Sequence, residues 1–384
     1  MSAAHKAACF IQILNVGVDV LFANINIIDQ DFQYRENQWV GVEGSRITYL
    51  GDKAPDEVSA ARMGEVYDGE NKLLMPAFYN AHAHAPMTLL RGYAENLPLQ
   101  AWLNDSVFPF EAKITPEDCY WATLLSCAEM ARYGVVSFSD MYYHMDQGAK
   151  AVLEAGLKTN LSDTLIAFGE TRLADLPLMQ HHDELIRDLQ GAADGRIVVD
   201  CNIHAEYTSN PAAVADIVAY AREHDLRIQV HVSETDLEHE ECKLRHNGLT
   251  PVQYFNEMGV FDVPCTAAHC VWVDDADIEI LADRGVYVAA NPASNMKLGS
   301  GFAPLAKMLE RGVRVCLGTD GMASNNNHDM MQDMYLFALL PKGATRNPAL
   351  ITPKEALFAA TRQGALSQGR TDCGLIEVGA RADL

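Results

Sequence analysis

From residue 73 onward the chain alternates short apolar runs with longer segments of helical patterning. The runs lie at 73–80, 134–141, 160–168, 197–204, 227–232, 265–269, 286–291 and 313–318. Their length and apolar density predict buried strands. Between them, 117–132, 211–224, 251–258, 275–282 and 304–311 carry helical patterns. The third run is the least regular, because Ser162 and Asp163 interrupt it. Eight strands with intervening helices predict an α/β fold, a (β/α)8 barrel.

Upstream, residues 8–70 are strand-like and rich in turns. A β-prone stretch covers 18–28, and a shorter one covers 45–50 before a Gly51-Asp52 turn. Residues 53–65 read as more helical or irregular. This is too little chain for a large core of its own, so it is expected to pack on the remainder. The expected division is 1–70 as an accessory β segment, 71–370 as the barrel and 371–384 as the start of a C-terminal return. The closing Gly379-Ala380-Arg381-Ala382-Asp383-Leu384 reads as the beginning of another strand, cut short. No internal repeat, heptad pattern, dinucleotide-binding glycine fingerprint or Walker loop is found.

Composition narrows the function classes. With 384 residues, the chain can hold a barrel and a small accessory domain. Hydrophobic residues at 49% and charged residues at 21% are an ordinary globular balance. The formal charge of −23 repels a phosphate backbone and disfavours nucleic-acid binding. A nucleoside, which has no polyanionic backbone, stays compatible with it. The nine cysteines include no C-x-x-C pair and mostly sit beside apolar residues, as free thiols do in a reducing compartment. Residues 1–16 lack the features of a signal peptide, and no run approaches ~18 apolar residues. A cytoplasmic protein without a membrane span is the expectation.

The chemistry gathers where the predicted strands end. The first run leads into Ala81-His82-Ala83-His84, and residues two apart on an extended segment project to one side. Two imidazoles can therefore approach one ion from one strand end. The run at 227–232 carries His231, followed by Ser233 and Glu234; 265–269 ends in His269; 313–318 is followed by Thr319-Asp320. Each histidine alone is more often a satisfied structural side chain. Recurrence at the ends of four strands is harder to explain that way, because the C-terminal strand ends of a barrel converge on one mouth. His82, His84, His231 and Asp320 can supply a metal's protein ligands, with His269 and Glu234 beside its water. Three neutral imidazoles and one carboxylate suit Zn²⁺ with room for a water; Fe²⁺ is the alternative, since N/O donors discriminate poorly.

The segments His82-Ala-His-Ala-Pro-Met87, His231-Val-Ser-Glu234, His269-Cys270 and Gly318-Thr-Asp320 resemble the amidohydrolase superfamily. More closely, the chain resembles the branch of S-adenosylhomocysteine, methylthioadenosine and 5′-deoxyadenosine deaminases and triazine chlorohydrolases. That likeness takes in Thr88-Leu-Leu-Arg-Gly-Tyr93, Leu97-Pro98, Trp102-Leu103, Phe110-Glu-Ala-Lys113 and Asn291-Pro-Ala-Ser-Asn295. The resemblance implies that a C-terminal continuation joins the N-terminal segment in a small β-sandwich.

It also implies hydrolytic deamination of an aminopurine nucleoside to the inosine analogue and ammonia. Glu234 would protonate the purine ring nitrogen and His269 would hold the attacking oxygen, while Asp320 could accept the proton of the attacking water. Glu111 would bind ribose hydroxyls and His204 another part of the substrate; a surface Glu111 and a core-satisfied His204 are the alternatives. Trp102 could cover an aromatic or thioether group, or simply pack on the barrel rim. Asn291 and Ser294 would shape the pocket without a catalytic role.

One departure stands out. Relatives that accept adenosylhomocysteine place an arginine after a Leu-Ser step in the third-strand region, whereas this chain has Leu161-Ser162-Asp163. A carboxylate there favours neutral 5′-substituted adenosines, unless Lys158 or Arg172 folds inward to replace the lost charge. Guanine or pterin deamination, triazine hydrolysis at the same site, and a non-catalytic binding protein on a decayed enzyme fold are the competing readings. The resemblance is compatible with a homo-oligomer.

Overall fold

The computed structural model describes residues 19–56 and 64–384. Cys9, the stretch read for a signal peptide and most of the segment at 53–65 lie outside the described residues. The chain divides into two compact units, one of Met1–Tyr79 with Thr361–Leu384 and one of Asn80–Ala360.

The first unit is built on a mixed five-stranded sheet of β1 (Val20–Ile28), β2 (Tyr34–Glu43), β3 (Arg46–Gly51), β4 (Glu65–Asp68) and β5 (Leu73–Leu74). Strands run β3-β2-β1-β4, with β5 also on β1. Burial alternates along β1, where Leu21, Ala23, Ile25 and Ile27 point inward, as a half-covered strand requires. The core joins Ile25, Ile27, Val40, Val42 and Ile47 to Ile376 and Ala380 from the other end of the chain. There the backbone pairs with β3: Ile47 N–H donates to Ala380 O at 3.0 Å and Gly379 N–H to Ile47 O at 2.8 Å.

The barrel strands are β6 (Phe78–Ala83), β7 (Val135–Tyr142), β8 (Lys158–Asp163), β9 (Ile197–Val199), β10 (Cys201–Ile203), β11 (Ile228–Val232), β12 (Cys265–His269), β13 (Tyr287–Ala290) and β14 (Arg314–Leu317). They form two runs, β6-β7-β8-β9 and β10-β11-β12-β13-β14. β9 and β10 are halves of one strand that changes partner at Asp200. Asp200 N–H still donates to Leu161 O beside β8, while Cys201 N–H donates to Arg227 O beside β11. The eight-stranded reading therefore holds. At the other seam, Asp320 N–H donates to His82 O at 2.9 Å.

Helices separate the strands, and their starts are written locally. Thr115 and Asp118 form a reciprocal capping box ahead of Pro116–Arg132, and Asp274 and Asp277 do the same for Asp275–Asp283. Asn210 caps Pro211–Glu223, whose first residue needs no N–H partner.

Two strand readings shift. The run at 73–80 is two strands, β5 and β6, because Pro76 between them cannot donate to a ladder. The third strand begins earlier and ends at Asp163. Its polar residues find partners in the next strand: Asn160 Nδ2 donates to Asp200 at 2.8 Å, and Asn202 Nδ2 donates to Ser162 Oγ at 2.7 Å. Residues 164–167 then leave the ladder, with Leu165 N–H donating to the Asn202 side chain. No helix among the described residues is long and apolar enough to cross a membrane.

Candidate active site

His82 stands on β6 and His84 one residue past its end, His231 on β11 and His269 at the end of β12, with Asp320 three residues past β14. Barrel geometry brings these C-terminal ends together. His82 Nε2 lies 3.4 Å and His84 Nε2 3.2 Å from Asp320 Oδ1, while His231 Nε2 is 3.3 Å from His84 Nε2. His82, His84 and His231 meet the spacing of a metal-binding group, as do His82, His269 and Asp320.

The opposite ring nitrogens set the orientation. His84 Nδ1–H donates to Met141 O at 2.6 Å and His231 Nδ1–H to His204 O at 2.6 Å. A backbone carbonyl can only accept, so each ring, when neutral, presents its lone pair on Nε2. His82 Nδ1 has Gln229 Oε1 at 3.2 Å, and His269 Nδ1 has Asn295 Oδ1 at 2.8 Å. This carbonyl and amide backing is what metal-ligating histidines use to hold their tautomer. His82 Nε2 is buried without a protein hydrogen bond. Convergent nitrogen lone pairs, one carboxylate and an orphaned buried nitrogen fit a divalent cation.

Charge and burial agree with that fit. Burial pushes His82 down to about 4 and His231 well below the ordinary histidine value, leaving both neutral near pH 7. His84 differs: burial opposes its charge, but the Asp320 carboxylate outweighs burial and holds it up at about 9. A cation in place of that proton would satisfy the same oxygen. Asp320 itself stays ionised: burial opposes its charge, but the close His82 and His84 imidazoles outweigh it. Its Oδ2 also accepts from Ser294 Oγ at 2.6 Å and Ser324 Oγ at 3.1 Å, so both hydroxyls orient the Asp320 carboxylate.

The strand ends carry backbone strain. Ser233, His269 and Asp320 adopt φ of 48°, 71° and 62°, a left-handed region costly for side chains with a Cβ. At Ser233 the kink is pinned by Glu238, whose carboxylate accepts from Ser233 N–H at 3.0 Å and Glu234 N–H at 2.7 Å. Glu234 is thereby placed in the same cavity, its Oε2 3.7 Å from His269 Nε2. Burial and the neighbouring charge of Asp320 raise Glu234 to about 8, so it holds a proton at neutral pH.

Of the residues singled out from sequence, His84, Trp102, Glu111, His204, His231, Glu234, His269 and Asp320 line this one cavity. His82 is wholly buried beneath it. Trp102 begins a stretch where its helix widens to π geometry, Trp102–Val107. Burial lifts Glu111 to about 7, with the nearby Tyr142 hydroxyl and His84 working the other way. Burial pushes His204 down to about 3, and its Nδ1 is 3.0 Å from Thr208 Oγ1.

Sequence reasoning missed Tyr142, Tyr143 and Tyr207, which also line the cavity. Tyr142 and Tyr143 fall at the end of β7, where the strand-end rule applied to that run points directly. Neither replacement for the lost arginine is in place. Lys158 opens β8 at the end remote from the site, and Arg172 makes a bidentate pair with Asp216. Asp163 is buried, and its nearest charged partner is His181, with Nδ1 2.6 Å away. Glu206 serves structure rather than the site, accepting from Arg245 Nε at 3.0 Å and sitting 2.7 Å from His246 Nε2.

A (β/α)8 barrel with clustered imidazoles, an ionised aspartate and a protonated glutamate at its strand ends defines a metal-dependent hydrolase. The chain belongs to the amidohydrolase family, whose model matches residues 73–384. A 5-methylthioadenosine/S-adenosylhomocysteine deaminase of Dictyoglomus thermophilum is 43% identical over 365 residues, covering 95% of this chain and 84% of that protein. A 5′-deoxyadenosine deaminase of Methanothermobacter thermautotrophicus is 45% identical over 319 residues, 83% of this chain and 74% of its own length. Among solved structures, an adenosine deaminase from Xanthomonas campestris with bound zinc matches at TM-score 0.86 and 30% identity, covering 95% of this chain and 83% of that one. A triazine hydrolase matches at TM-score 0.87 and 22% identity, a likeness of fold alone.

Proposed function

We propose that this protein hydrolyses the exocyclic amine of an adenosine-type nucleoside, giving the inosine analogue and ammonia. The observation that carries the reading is a proton-holding Glu234 in one cavity with convergent imidazole nitrogens and an ionised Asp320. Deaminases of 5′-deoxyadenosine and 5-methylthioadenosine among the relatives at 43–45% identity support it.

Held by His82, His84, His231 and Asp320, a divalent ion would supply a water whose pKa falls toward ~7. Zinc suits the three imidazoles and one carboxylate. Asp320 would take the proton of the attacking water as it adds to the amine-bearing ring carbon. Glu234 donates its proton to the adjacent ring nitrogen, so negative charge does not build up on the purine. His269, oriented by Asn295, hydrogen-bonds the oxygen that has been added. The carbon–nitrogen bond then breaks: the departing amine takes the proton held on Asp320 and leaves as ammonia, while the added hydroxyl gives its proton back to Glu234 and becomes the carbonyl. Glu111 accepts hydrogen bonds from the ribose hydroxyls, and neutral His204 contacts the nucleoside opposite it. Trp102 covers one apolar face of the cavity.

The eight described cysteines are all buried, which supports a reducing, cytoplasmic setting for this chemistry. The test is ammonia release by metal-loaded protein from adenosine, 5′-deoxyadenosine, methylthioadenosine, adenosylhomocysteine, guanine and a chlorotriazine, with chloride followed in parallel. Ammonia from the adenosines is expected. Turnover of guanine or the triazine alone would overturn the assignment.

A further inference from the structure

Next to Asp320 lie four polar residues, Asn80, Ser126, Thr319 and His328, that are wholly buried and do not line the cavity. His328 follows Asp320 by eight residues in the chain, and its ring joins two elements. Its Nε2 is 2.5 Å from Ser126 Oγ, on the helix Pro116–Arg132, and its Nδ1 is 3.1 Å from Thr319 Oγ1. Thr319 Oγ1 in turn accepts from Asn80 Nδ2 at 2.7 Å and stands 3.2 Å from the Asp320 carbonyl oxygen. The Thr319 backbone is held as well: its N–H donates to Asn80 Oδ1 at 3.0 Å, and its carbonyl accepts from Asn325 Nδ2 at 2.8 Å.

Proton supply sets the direction of this chain of contacts. Burial, helped by the charge of Arg91, pushes His328 down to about 3, so the ring is neutral and carries a single N–H. With that proton on Nε2, the Thr319 hydroxyl must give its hydrogen to Nδ1, and its contact with the Asp320 carbonyl goes unused. With the proton on Nδ1, Ser126 Oγ–H donates to Nε2, while His328 Nδ1–H and Asn80 fill the two lone pairs of Thr319 Oγ1. The Thr319 hydrogen is then left for the Asp320 carbonyl. Only this second arrangement makes all four contacts hydrogen bonds. The last of them falls on a strained residue, since Asp320 has φ 62° and stays there only if its surroundings over-determine it.

We propose that His328, as its Nδ1–H tautomer, is a positioning residue that aims the Thr319 hydroxyl at the Asp320 carbonyl and so fixes the Asp320 carboxylate for the metal and for proton transfer. The proposal rests on the reading above in one respect, that Asp320 is a metal ligand and takes the proton of the attacking water. His328 itself touches neither substrate nor metal.

The test uses the zinc-loaded full chain. Long-range ¹H–¹⁵N correlation, with the His328 ring assigned by its loss in His328→Asn, is expected to show a protonated Nδ1 and a bare Nε2 across neutral pH. His328→Phe keeps a ring but removes both nitrogens. Zinc affinity by chelator competition and kcat with adenosine should each fall about 10–100-fold in it, with KM little changed. His328→Asn places an amide donor where Nδ1–H stood and should recover most of both. Thr319→Ser should likewise exceed Thr319→Val, which lacks the hydroxyl.

A proton on Nε2 in the wild type would overturn the proposal without any variant having to fold. So would wild-type zinc affinity in His328→Phe, or equal losses in His328→Phe and His328→Asn. A wild-type protein that binds zinc but leaves adenosine untouched would instead overturn the nucleoside reading, with the tautomer and the affinity loss still standing. Absence of zinc binding would overturn the metal site on which both rest.

Discussion

Replacing Glu234 by glutamine tests the proton donor directly. The side chain is 5% exposed, and burial with the charge of Asp320 raises it to about 8, so its protonated form is favoured at pH 7. Glutamine keeps the shape and can still donate a hydrogen bond, but it cannot release a proton to the purine. General-acid catalysis typically contributes about 10²–10⁴ in rate, equivalent to about 2.7–5.4 kcal/mol of barrier. Glu234→Gln should therefore lower kcat by that factor while KM changes little. Glu234 belongs to neither of the metal-binding groups at the site, so a bound-metal assay should still find one equivalent. The steady-state rate with adenosine and the metal content of the same sample are the two measurements. A fall in kcat of less than about tenfold, with metal retained, would refute Glu234 as the acid. Loss of the metal would place it among the ligands instead.

Gly318→Ala probes the support beneath the metal site. A Cβ there would lie 2.4 Å from Asn291 Oδ1 and 2.9 Å from His82 Cβ, so the His82 ring must move. A metal-affinity loss of about 10–100-fold is expected by chelator competition, and unchanged affinity would contradict that packing. Gly364→Ala would place a Cβ 2.3 Å from the Tyr79 carbonyl oxygen, a backbone atom with little freedom to yield. Thermal denaturation should show about 1–3 kcal/mol of destabilisation, and wild-type stability would show that the helix can shift. Hydrogen bonds from Asp146 and Asp163 raise His181 to about 10, above its unfolded value near 6.5. The stability it contributes is fully present below pH 6.5 and is lost as pH rises through about 10. Imidazole NMR should find the high titration point and see it fall in Asp146→Asn; titration near 6.5 in the wild type would contradict the pairing.

The barrel was legible because its strands are dense apolar runs and its polar chemistry stands at their ends. Period-two spacing placed His82 and His84 on one side of a strand, and strand order placed His231, His269 and Asp320 at the same level. Other features left no such trace. Pro76 alone marks the break between β5 and β6, and a proline in an apolar run is easily read through. Ser162 and Asp163 looked like interruptions because their partners Asn202 and His181 lie 40 and 18 residues away.

The sequence by itself determined the kinds of group available: three imidazoles and one carboxylate for a cation, a further histidine beside its water, and a glutamate three residues past a histidine. Local periodicity suffices for that, since it depends only on backbone geometry within each strand. Only the tertiary structure decided which ring nitrogen faces inward, because Met141 and His204 come from other strand ends and Asn295 from the helix Pro292–Lys297 that follows β13. It also decided that Glu234 keeps its proton, since desolvation depends on every neighbour that excludes water. The same holds for Asp163: as a residue it is a negative charge, but the fold pairs it with His181.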